Sequence, residues 1–197
     1  MKTLEINKFY DYNEKKKFLL NKSNVVLDDF ISEFLNNYAA LSVGGLLRIY
    51  GNSGTVYSIS DVNLNNGISK CAGVFVIASD LLGGAYVIEN LTLTPLKRVF
   101  YASIFSLQFE PLVLNTKQFY ELVENGTVEE LYPSSVFNYM LEKTSECDID
   151  KCLSFDCNYP INTHSLYSLK YKIIPCISVI DYNVGLIAGA TAARSEL

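Results

Sequence analysis

Short apolar runs separated by only a few turn residues rule out most architectures for this chain. From Gly44-Gly45 onward the runs read LLRIY, TVYSISDV, AGVFVIA, AYVIENLTL and, after Thr94-Pro95, RVFYASIFSLQFEPL, with GNSG, NLNNG and SDLLGG standing between the earlier ones. Apolar runs rich in β-branched and aromatic residues, bounded by Gly, Asn and Ser, are strand signals. Parallel neighbours need a crossover of about a dozen residues or more, and these gaps are shorter. The runs are therefore expected to pair with their sequence neighbours in a mostly antiparallel meander of about six strands.

The last of those segments reads as one long strand. Val99, Tyr101, Ser103, Phe105, Leu107 and Phe109 would share one face, and Phe100, Ala102, Ile104, Ser106, Gln108 and Glu110 the other. Helical spacing appears on both sides of the strand region. Val26, Leu27, Phe30, Ile31, Phe34, Leu35 and Tyr38 recur at intervals of three and four, with Asp28 and Asp29 in the first turn. Beyond the strands, Asn115 or Thr116 is placed to cap a helix whose apolar contacts are Phe119, Tyr120, Leu122 and Val123, with Gly126 just past its end. Shorter helical segments follow at 128–131 and 135–142, then a cysteine-rich loop at 144–162, and KIIPCISVI returns to strand texture. Helix, strands, then helices is the order of an α+β domain, and no linker or repeat divides residues 1–197.

Composition narrows the function classes. A formal charge of -5 and pI near 4.9 argue against nucleic-acid binding, which depends on clustered Lys and Arg. A hydrophobic content of 49% over 197 residues supports a core that needs no staples. The N-terminus lacks the apolar stretch of a secretory signal, so a cytoplasmic location is expected, with the five cysteines as thiols. The segment 173–193 approaches membrane-helix length with Asp181 as its one charge. An Asp near the centre of such a helix costs about 2.5 to 3.5 kcal/mol, and Pro175 and Asn183 weaken it further. It reads instead as a buried strand followed by a small-residue tail.

Candidate chemistry is sparse. Gly83-Gly84 lacks the GxGxxG and Walker patterns and leads into a strand, so SDLLGG reads as a hairpin corner in which Asp80 accepts backbone N–H groups. Cys147, Cys152 and Cys157, with His164 downstream, have the ligand types of a zinc site but only marginal spacing, so neither metal nor cofactor is expected. Cys157 and His164 are the one Cys/His combination open to nucleophilic catalysis, because the chain has a single histidine and no GxSxG. Asp61, Asp80, Glu89 and Glu110 lie near strand ends, where carboxylates more often cap turns than transfer protons. The 14 Tyr and 11 Phe, with no Trp, suit either a sheet core or an interface.

The succession GGLLRIYGNSG, GVFVIASDLLGGAYVIEN, RVFYASIFSLQFEPL and TKQFYELVENGTVEELY resembles an uncharacterised bacterial domain family. In that family an apolar-Ala-x-Asp-x-x-Gly-Gly stretch is followed by a strand, a Tyr-x-Ala-x-x-x-Leu-x-aromatic-Glu segment and a Phe-containing helix. More broadly it resembles the SUKH superfamily of Smi/Knr-like and bacterial immunity proteins, over about Phe30 to Tyr132. The resemblance implies helices packed on a curved antiparallel sheet. It also implies a non-enzymatic binding role, commonly the masking of a toxin domain such as a nuclease or deaminase. Relatives often carry several Trp residues, and this chain has none.

The expectation is thus a non-enzymatic protein-binding domain that occludes a basic toxin partner, with Asp80, Glu89 and Glu110 as contact residues and a homo-oligomer as a further possibility. Asp80 is read first as a structural residue. The rivals are a small enzyme or ligand-binding domain using carboxylates around Asp80, and a scaffold homodimer formed through an exposed aromatic strand face.

Overall fold

A computed structural model describes residues 4–9, 31, 33, 34, 38, 40–51, 58–64, 74–89 and 97–195. Seven strands form one sheet in strict sequence order: β1 Ile6–Phe9, β2 Ala40–Val43, β3 Leu47–Tyr50, β4 Val74–Asp80, β5 Ala85–Glu89, β6 Arg98–Ser103 and β7 Gln108–Asn115. Every neighbouring pair is antiparallel, and the connections β2–β3, β4–β5 and β6–β7 are too short for a crossover. The registers Leu47↔Asp80, Ala85↔Ala102 and Tyr86↔Tyr101 place the end of β4 beside β3 and carry β5 onto β6. A second, two-stranded sheet pairs β8 Lys151–Phe155 with β9 Tyr171–Pro175, also antiparallel. The class is α+β, with the core running through β2 to β6, where β4 is buried along its whole length.

Among the helices, α1 spans Ile59–Leu64, α2 Thr116–Glu124, α3 Ser134–Lys143 and α4 Cys176–Ser195. Helix α2 starts where the sequence places it. Asn115 accepts from the Gln118 N–H while the Gln118 side chain accepts from the Asn115 N–H, each at 3.0 Å, and Gly126 follows with a positive φ of 69°. Phe119 and Tyr120 enter the core, where Phe119 packs on Tyr86 at 4.9 Å and Tyr120 on Phe34 at 4.7 Å between ring centroids. The short turn Val128–Leu131 and α3 likewise fall where spacing predicts them. Of the helix expected over Val26 to Tyr38, Ile31, Glu33, Phe34 and Tyr38 lie within the described residues. Ile31 and Phe34 are helical and buried, and the Tyr38 N–H bonds the Phe34 carbonyl at 2.9 Å.

Four expectations give way, the first being the loop expected over 144–162, where Lys151–Phe155 forms strand β8 by pairing with β9. TVYSISDV ends in helix α1, not in a strand, because Ser58 and Asp61 form a capping pair. The Ser58 N–H and Oγ donate to Asp61 Oδ2 at 2.8 Å each, and the Asp61 N–H bonds Ser58 Oγ at 3.2 Å. RVFYASIFSLQFEPL is a hairpin, β6 and β7, turning at 104–107, where Leu107 takes a positive φ of 53°. Apolar residues fill that turn because Ile104 is fully buried, and Ser103 Oγ accepts from the Phe105 and Ser106 N–H groups. Finally, Cys176–Ser195 is a 20-residue helix instead of a strand and tail. Cys176, Val179, Ile180, Asn183, Val184 and Ile187 are buried at spacings of three and four, a helical face that the β-branched run IIPCISVI obscured. Among the described residues no helix is long and apolar enough to cross a membrane.

Candidate functional site

The end of β4 and the Leu-Leu-Gly-Gly turn lie at the junction of both sheets and α4. Asp80 is 2% exposed, yet both carboxylate oxygens are engaged. Its Oδ1 accepts from the N–H of Leu82 at 3.0 Å and of Gly84 at 2.8 Å, while Oδ2 accepts from the Tyr101 hydroxyl at 2.6 Å. The backbone closes the same corner, Asp80 N–H to Gly84 carbonyl at 3.0 Å and Gly83 N–H to Asp80 carbonyl at 3.1 Å. Burial pushes the carboxyl up to about 6, against the lowering pull of those hydrogen bonds. Tyr86 and Tyr132 stand beside Tyr101, with centroids 5.0 and 6.3 Å from it, and burial holds all three phenols well above their usual range, so they are neutral.

The glycines answer to close approach as well as to backbone angle. Gly83 has a positive φ of 79°, and a Cβ there would collide with Val179 Cγ1 of α4; a Cβ on Gly84 would meet the Tyr101 hydroxyl. Asn183 of α4 donates from Nδ2 to the Gly83 carbonyl at 2.9 Å, and the Leu153 N–H of β8 bonds the Leu81 carbonyl at 2.8 Å. The turn therefore ties the second sheet and the last helix to the first.

A second buried polar cluster adjoins the first. Arg48, opposite Ser79 in the β3–β4 register, is 6% exposed and donates from Nη1 to Cys176 Sγ at the start of α4. Ser79 also bonds the Tyr50 hydroxyl at 2.6 Å. No carboxylate pairs with Arg48 among the described residues, and its Nε has no hydrogen-bond partner. A sulfur faces the guanidinium instead. Burial alone would raise the Cys176 thiol, but the hydrogen bond from Cys152 and the Arg48 guanidinium outweigh it and lower the thiol below its usual range. The bond to Cys176, followed by burial, drives the Cys152 thiol well above its usual range. Neither Arg48 nor Cys176 stood out as a motif, although a charged residue inside the apolar run LLRIY is itself a signal of a buried partner.

The other expected site residues lie apart. Glu89, at the end of β5, and Glu110, on β7, are exposed, whereas Asp80 is turned into the core, so a partner meets it only through the groups it holds. Cys147 and Cys152 sit near Cys176, but Cys157 neighbours Asp156 and Tyr159, and His164 is exposed on the short helix Thr163–Ser168. No group of three or more His, Cys, Asp or Glu among the described residues is placed to hold a metal ion. Asp61 is occupied as a cap of α1.

Strand β7 offers a different kind of surface. It ends the seven-stranded sheet, and among the described residues no strand pairs with its other edge. Glu110 and Pro111 are exposed on it, and Val113 is 97% exposed. Helix α2, which follows it directly, presents Glu121 and Glu124 to solvent. An edge strand can pair with another chain, and on β7 Pro111 and the register shift opposite Arg98 and Phe100 limit the length open to such pairing.

A family profile described as "Protein of unknown function DUF2625" matches residues 9–177. No curated protein matches the chain.

Proposed function

The chain belongs to DUF2625, a family of unknown function, and from that premise we propose that it is a non-enzymatic protein-binding domain of the SUKH, immunity-protein type. The observation that carries the reading is the open, acidic edge of β7. An apolar Val113 almost wholly in water, beside Glu110 and an edge-strand backbone, combines the three contributions that strand addition uses: main-chain hydrogen bonds, an apolar anchor and steering charge. With a net charge of -5 on the chain, the occupant that fits is a basic protein domain, such as a nuclease or deaminase toxin whose substrate surface would be covered. Glu110 contributes to attraction at the edge itself, and Glu89 to the field around it.

Replacing Glu110 with Lys and Val113 with Asp tests the assignment. The fold is expected to survive, since both side chains are exposed. Co-purification of a basic partner is expected to weaken about tenfold or more in each, with reduced salt sensitivity in Glu110→Lys. Unchanged binding in both variants would remove β7 from the interface.

A further inference from the structure

A buried arginine whose hydrogen-bonding partner is a thiol is an unusual arrangement, because a guanidinium taken out of water needs an opposite charge nearby. Arg48 has Cys176 Sγ in that position. Cys176 begins a 20-residue helix, where the exposed N–H dipoles also favour negative charge on sulfur. Its own N–H is spent on the Asp150 carbonyl at 2.9 Å, which fixes the residue beside β8.

The same register brings a second thiol. Cys152 pairs with Ile174, two residues before Cys176, and the Cys176 N–H bond to the Asp150 carbonyl holds the start of the helix against the same end of β8. Each thiol shifts the other's acidity, and both are fully buried. We propose that Cys152 and Cys176 form a redox-active dithiol, with Cys176 as nucleophile, Cys152 as resolving thiol and Arg48 as the cation that holds the sulfur charge, and that its co-reactant is a small hydroperoxide.

The burial selects the co-reactant. A protein disulfide cannot approach sulfurs that expose no surface, whereas a peroxide close to water in size reaches them through brief local opening. In the first step the Cys176 thiolate attacks the distal peroxide oxygen. The O–O bond breaks, a sulfenic acid forms, and the leaving alkoxide or hydroxide takes up a proton to become alcohol or water. In the second step the Cys152 sulfur attacks the sulfenic sulfur, the S–O bond breaks, and the hydroxyl leaves as water with the Cys152 proton. Two thiols and one hydroperoxide thus give one disulfide, one alcohol or water, and one further water. The site is distinct from the β7 edge, so failure of either proposal leaves the other standing.

The experiment treats the full-length folded protein with hydrogen peroxide, blocks the remaining thiols, and maps non-reduced peptides by mass spectrometry. The expected product is a peptide pair joining Cys152 to Cys176, two hydrogens lighter than the separate peptides and lost on treatment with dithiothreitol. In Cys152→Ser the reaction is expected to stop at a Cys176 sulfenic acid that dimedone captures. Arg48→Met is expected to slow Cys176 oxidation about tenfold or more, because the cation that favours the thiolate is gone, while Cys157 reacts as before. The wild-type result decides the matter if a variant fails to fold. Cys176 remaining reduced while Cys147 or Cys157 oxidises, or Cys176 joining Cys147 instead, would overturn the proposal.

Discussion

Asp80 shows how a single residue is held in an unfavourable place by engaging both of its carboxylate oxygens. Three donors surround it, so replacing it with Ala leaves two backbone N–H groups and a phenol unpaired, a loss of about 2 to 4 kcal/mol. Asn keeps the acceptor for Leu82 and Gly84 and removes the titration. Because the folded carboxyl titrates near 6 and an ordinary unfolded one near 3.8, the folded state binds more protons between those values. Asp80's contribution is then fullest below about pH 4 and is lost as pH rises through about 6. Urea titrations of wild type and Asp80→Asn are expected to show the wild type losing up to about 3 kcal/mol relative to the variant between pH 4 and 7. A constant difference across that range would show that the carboxyl does not change its charge on folding. At Gly83, Ala is expected to cost about 3 kcal/mol or more through strain and overlap with Val179, and Gly83→Ala with Val179→Ala is expected to recover only the overlap part, as measured by thermal melting.

At the scale of elements, legibility followed how local the signal was. The meander, α2 and α3 could be read because turn residues, a capping pair and period-3.6 spacing all lie within a few positions of one another. The β6–β7 turn was hidden because Ile104, Phe105 and Leu107 are apolar, and only contact with the core explains why a turn would use them. Helix α4 was hidden because its first turn is β-branched and the helix faces the protein core, where the usual polar face is muted. SDLLGG was legible as a corner, but its ties to Asn183 and Leu153, 100 and 72 positions away from their partners, were not. In α1 the signal was present as Ser-Ile-Ser-Asp and was overridden by the apolar run around it. Removing that cap with Ser58→Ala is expected to cost about 1 kcal/mol. Asn63→Ala is expected to cost more, about 2 to 3 kcal/mol, because the Asn63 amide bonds both the N–H and the carbonyl of Val76 at 2.7 Å, beyond the last β3–β4 register pair. Chemical denaturation of the two variants under one condition ranks them, and equal losses would contradict the bridging role of Asn63.

For the whole molecule, the separation of interior from edge organises the account. The polar groups with the most perturbed surroundings, Asp80 and the Arg48–Cys176 pair, are enclosed where the two sheets and α4 meet. The surface available to a partner lies at the open end of the sheet, on β7 and the helix that follows it. In the proposed binding role, net negative charge favours a basic partner and makes the association sensitive to salt. A photo-crosslinking amino acid placed at Val113, in the source cell, tests this most directly. The account predicts a single crosslinked species containing one basic protein, lost when Glu110 is also changed to Lys. Crosslinks only to a second copy of the chain, or none at all, would contradict it.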